Sequence, residues 1–130
     1  MKKTIYLIFV SILFLGCSQG VVRVSIEGTV TLDGNPVADV KVMVRPEAGP
    51  DAGGKTDANG KYIIPKSEGP MAGNVQIMVE KFTEIENKAG DGKTDTVFVP
   101  ALPPDIQNKH KPFTIKNGNN IIDIKLEEWK

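Results

Sequence analysis

The chain has 130 residues, 16 basic and 16 acidic side chains, no net charge, one histidine and one cysteine. That length holds one domain, the lack of a basic excess argues against nucleic acid as a partner, and a single cysteine rules out an intramolecular disulfide. A lone histidine also leaves a zinc enzyme short of ligands, since such sites take about three protein donors, usually two of them His.

The first 16 residues open with Lys2 and Lys3 and continue as an apolar run from Ile5 to Leu15. The run falls short of the roughly 20 apolar residues that cross a bilayer, and its basic start and length are those of an export signal. Leu13-Phe14-Leu15-Gly16-Cys17 resembles a bacterial lipobox. The resemblance implies cleavage before Cys17, attachment of diacylglycerol to its thiol, and an N-acyl chain (palmitate) on its amine. Two hydrocarbon attachments make a stable anchor. Ser18 in the next position, by the same resemblance, implies the outer membrane of a two-membrane envelope. Loss of Lys2 and Lys3 with the signal leaves 14 basic against 16 acidic side chains, a net charge of −2. Residues 17–21 are then the lipid-bearing cysteine and a short tether, and residues 22–130 the folded domain.

From Val22 the chain alternates with period two. Val22, Val24, Ile26, Val30 and Leu32 share one face with Gly28, which predicts a half-buried strand that bulges or changes partners at the glycine. Asp33-Gly34 is a turn of positive φ, closed by Pro36. Val40, Val42 and Val44 predict a second strand, antiparallel to the first, and 46–55 a loop rich in Gly, Ala and Pro. In Thr56-Asp57-Ala58-Asn59-Gly60, Asp57 is placed to close an Asx-turn and Gly60 to take a left-handed conformation before a strand at 62–64. Val75, Ile77 and Val79 predict a fourth strand. The polar segment 80–95 predicts an exposed, partly mobile loop, 96–99 a brief strand, and 100–112, with Pro103-Pro104, an extended crossing segment. The strand residues 113–116 and 121–126, around the Asn117-Gly118-Asn119-Asn120 turn, predict a closing hairpin. The sum is an all-β sandwich of about seven short strands.

Several of these segments together resemble carboxypeptidase regulatory-like, transthyretin-like domains, above all those of small bacterial lipoproteins. The opening strand and turn from Glu27 to Val40, the turn Thr56 to Tyr62, the Gly69 to Val79 segment and the close from Asn117 to Leu126 carry the resemblance. It implies a Greek-key, prealbumin-like sandwich and nothing further about activity. The motif residues Asp33, Gly34, Asp57, Asn59 and Gly60 serve as turn formers.

Reactive readings of single residues fall to simpler ones. His110 lies between Lys109 and Lys111 with no nucleophile or carboxylate spacing around it, as a solvated side chain would. Asp57-Ala58-Asn59-Gly60 resembles the start of a calcium loop, but Lys61 stands where an oxygen ligand belongs, and turn chemistry accounts for Asp57. Trp129 either packs on the sandwich edge or meets the membrane interface. No catalytic residue, metal or cofactor is expected. The sequence points to a lipid-anchored envelope module that binds a protein or glycan. The alternative is a small-ligand carrier using a cavity or a dimer interface.

Overall fold

The computed structural model describes residues 22–130. The export signal, the lipobox and Cys17 lie outside the described residues. What is described is all-β: eleven strand segments and one closing 3-10 turn, Leu126–Trp129.

Strand β1 (Ser25–Leu32) is the hub of one sheet. It pairs antiparallel with β2 (Asn35–Pro36) and β5 (Lys61–Ile64), and parallel with β10 (Asn119–Ile121) and β11 (Ile124–Lys125). The second sheet has the order β4-β3-β6-β9, from β4 (Ala52–Lys55), β3 (Lys41–Pro46), β6 (Gly73–Glu80) and β9 (His110–Ile115). The chain passes between sheets after β2, β4, β5 and β9, which is Greek-key connectivity. Alternate residues of β1, β3, β5 and β6 fill the space between the sheets, among them Ile26, Val30, Val42, Tyr62, Ile64 and Ile77, all buried. Period-two patterning puts them there, because successive strand side chains face opposite ways.

The partner change on β1 falls at Gly28. Residues 25–27 pair with β10 and residues 30–31 with β11, and Ile122 and Asp123 fill the step between. Ile122 N donates to Glu27 O, and Asp123 Oδ1 accepts from Thr29 N and Thr29 Oγ1 at 2.9 and 3.0 Å. The Tyr62 hydroxyl donates to Ile122 O at 2.6 Å from inside the sandwich. Burial pushes this phenol well above its ordinary range, and the Asp123 carboxylate adds to the shift, so the donor proton stays in place.

Besides the segment 80–95, four segments differ from the sequence expectation. β3 pairs with β4 and β6, not with β1, because the two-residue β2 ends the first hairpin before the chain crosses. The expected loop at 46–55 ends in β4, an edge strand. Its Gly54 lets the backbone come close to Ile63, whose carbonyl would stand 3.1 Å from an added Cβ. Residues 101–109 are not extended. Ile106 N and Gln107 N both donate to Pro103 O, and Leu102 and Ile106 are drawn into the core. The closing segments do not form a hairpin, since β9 pairs with β6 and β10 with β1 in the other sheet. The fourth strand is found as expected, in β6.

One buried side chain organises the crossing from β2 to β3. Thr56 Oγ1 accepts from Val40 N at 2.9 Å and donates to Val37 O at 2.7 Å, and among the described residues it is the buried polar side chain of the core. Thr56→Val keeps the shape and strands both backbone groups, an expected loss of about 2–3 kcal/mol in urea unfolding. Thr56→Ser, which keeps the hydroxyl, should recover most of that.

Candidate functional site

The segment 80–95, expected as a loop, forms with the expected strand at 96–99 a two-stranded hairpin standing off the sandwich. β7 (Phe82–Lys88) and β8 (Thr94–Pro100) pair over seven consecutive positions, from Phe82 opposite Pro100 to Lys88 opposite Thr94. Its tip is a three-residue loop. Gly92 N donates to Ala89 O, Lys93 N donates to Asp91 Oδ1, and Gly92 has φ 82°, a left-handed value suited to glycine.

The root is tied to the core. Ala101 N donates to Lys81 O at 2.8 Å, Asn108 N donates to Val79 O, and Leu102 and Ile106 hold the returning chain among buried side chains. Beyond the root nearly every hairpin residue is exposed, including large apolar ones. Phe82 is 44% exposed, Ile85 46%, Val97 39% and Phe98 63%. Pairing places Ile85 beside Val97 on one face, and Phe98 beside Glu84 on the other. A two-stranded ribbon is marginally stable by itself, and clustered exposed apolar side chains mark contact surfaces.

At the root the hairpin borders an open groove of about 610 Å³ between itself and the corner of β3 and β4. Gly53 and Gly54 form its floor, Phe82 and Phe98 supply apolar walls, and Lys41 and Glu80, 3.3 Å apart, sit on its rim. Phe98 and Glu84 share this groove with β4, so the arm leans across the Lys41 corner toward the β4 edge. The groups lining it are of kinds that can bind and orient a partner: aromatic rings, backbone and paired surface charges. They include no nucleophile beside a base.

The hairpin is remote from the N-terminal end. Arg23 bridges to Met71, Val24 N donates to Pro70 O, and β6 begins two residues after Met71. The hairpin leaves after the other end of β6, roughly 25 Å further along at strand rise. Arg23 and the hairpin root therefore lie at opposite ends of the sandwich.

No family model and no curated protein matches the chain. Among solved structures it is similar to a 9R-lipoxygenase from Cyanothece, at 14% identity and a TM-score of 0.36, over 78% of this chain and 16% of that one. A likeness that low carries no argument.

The turn residues singled out in the sequence lie away from the hairpin. Asp33 and Gly34 have φ 51° and 82°, the two positive values of a two-residue hairpin turn between Leu32 and Asn35, and Asp33 N donates to Glu127 Oε2. Asp57 Oδ1 accepts from Asn59 N and Lys61 N, both at 2.9 Å, and Gly60 has φ 73°. The carboxylate is committed to its own turn. His110 is exposed on β9 opposite Met78, and among the described residues no group of three or more His, Cys, Asp or Glu is placed to hold a metal. Trp129 is buried, stacked on Phe113 at 6.5 Å with Lys111 Nζ 5.5 Å from its ring. No helix of the described residues is long and apolar enough to cross a membrane.

Proposed function

We propose that this chain is a non-catalytic, lipid-anchored module of the bacterial envelope that contacts a protein or glycan through its projecting hairpin. The observation that carries the reading is the hairpin itself: a ribbon rooted in the core, exposing Phe82, Ile85, Val97 and Phe98, at the end of the sandwich remote from Arg23. A lipid on Cys17, with a tether of a few residues, would hold the body close to its membrane and turn the hairpin root away from it. The carboxypeptidase regulatory-like resemblance supports the same reading, because its motif residues shape turns. Outer-membrane attachment follows from Ser18 by resemblance to other lipoproteins.

The small-ligand carrier gains less support. The space between the sheets is occupied by packed side chains such as Tyr62, Ile26 and Ile77, and the groove at the hairpin root is open to solvent.

Crosslinking of the tagged protein in living cells, with Cys17→Ser as the unanchored control, tests the reading. The expected outcome is a membrane-fractionated protein with a defined set of crosslinked envelope partners, both lost in Cys17→Ser. Unchanged membrane association in Cys17→Ser contradicts the anchor, and identical crosslinks in the two samples contradict its role in contact.

A further inference from the structure

We propose that the β8 edge of the hairpin pairs with the β8 edge of a second copy of this chain, antiparallel about a two-fold axis through Val97. The result is a four-stranded sheet of order β7-β8-β8-β7. The proposal rests on the reading of the hairpin as the contact element and names its partner.

Among the described residues β8 pairs with β7 alone, so its other edge carries unpaired backbone donors and acceptors. Strand edges of that kind are usually blunted by lysine, by bulges or by a covering segment. β8, Thr94–Pro100, has one charged residue, Asp95, no lysine, and an unbroken seven-residue ladder with its neighbour. β7 differs. It carries Glu84, Glu86 and Lys88.

Charge decides which edge accepts a second copy. Antiparallel pairing of two β7 edges about Ile85 would put Glu84 of each copy opposite Glu86 of the other, and directly opposed like charges destabilise a ladder. Pairing of two β8 edges about Val97 puts Asp95 opposite Val99 and Thr96 opposite Phe98. No like charges meet.

Register follows from length and from proline. Val97 is the middle residue of β8, so a two-fold axis through it pairs the strand over its full length and leaves Pro100, which lacks a donor, at the ladder's ends. A register centred on Phe98 would shorten the overlap of the two strands to residues 96–100. The Val97 register also lines up Ile85, Val97, Val97 of the partner copy and Ile85 of the partner copy in one row across four strands. Those side chains are half-exposed in the single hairpin, and the new row gives them neighbours. The contact is isologous, each copy offering the same surface.

The test uses the lipidated chain in detergent, where Cys17 carries the lipid and an introduced cysteine is the free thiol. Val97→Cys should give a covalent dimer on mild oxidation or with a short bis-maleimide, since directly opposed side chains have Cβ atoms about 5 Å apart. Ile85→Cys should give little, because its two copies are three strand spacings apart, about 14 Å. In sedimentation the wild-type chain should show twice the monomer mass, and Val97→Lys the monomer mass with a circular-dichroism spectrum that shows the β fold retained. Equal crosslinking of the two cysteine variants, or a wild-type chain that stays monomeric, overturns the proposal. A monomer whose hairpin crosslinks to another envelope component in cells overturns self-pairing and leaves the contact element standing. A monomer with no hairpin crosslinks overturns both.

Discussion

Gly28→Ala is expected to cost about 3–5 kcal/mol, a large share of the 5–15 kcal/mol that holds a domain of this size together. A Cβ at this position would lie 1.9 Å from Ile122 O and 2.6 Å from Ile122 C, and both atoms are backbone. Moving Ile122 would break the Glu27–Ile122 hydrogen bond, the bond from the Tyr62 hydroxyl, and the adjoining Asp123 bonds to Thr29. The effect is large because the same short step carries the parallel pairing of the chain's end onto its beginning. Urea unfolding of wild type and Gly28→Ala, compared at equal slope, measures it. A change below about 1 kcal/mol would mean that the Ile122 backbone does not approach β1 as described.

Trp129→Ala is expected to cost about 3–5 kcal/mol, the usual range for truncating a large buried aromatic. Trp129 is held by Phe113 from the other sheet, by the Lys111 ammonium near its ring, and by the Lys111 Nζ hydrogen bond to Glu128 O. Stability measured without any membrane separates packing from an interfacial role. A stable Trp129→Ala chain that binds membranes more weakly than wild type would assign this residue to the interface instead.

The parts of the fold that were legible in the sequence are those with local causes. Alternation in β1, β3 and β6 marks strands because one face of each is buried. Asp33-Gly34 and Asp57 to Gly60 mark turns because positive φ and Asx hydrogen bonding are properties of single residues. Partner choice is not local. Nothing near Ser25 announces that its strand will run parallel to one that begins at Asn119. β4, Ala-Gly-Gly-Lys, has no alternation to read, and it is a strand because β3 needs a neighbour and glycine permits the approach. The candidate site was the least legible region. β7 and β8 are exposed on both faces, so no buried face imprints a clean period, and the acids at 84, 86, 91 and 95 resemble a solvated loop. Two signals could have found it: the Gly90-Asp91-Gly92 turn, and the apolar Val97, Phe98 and Val99 lying at hairpin distance from Phe82 and Ile85. At 100–112, prolines suggest extension, whereas Pro103 opens a tight turn that sends Ile106 into the core.

The proposed function turns on the hairpin as the place where this module meets its partner. The most direct measurement is photo-crosslinking in living cells from single positions, with a photoreactive residue at Phe98 on the hairpin and, separately, at Ile63 on the outer face of the β1 sheet. Both positions are strongly exposed, so accessibility does not favour either. The account expects discrete adducts from Phe98, lost when Cys17 is replaced by serine, and none beyond background from Ile63. Adducts from Ile63 alone, or equal adducts from both, would contradict it.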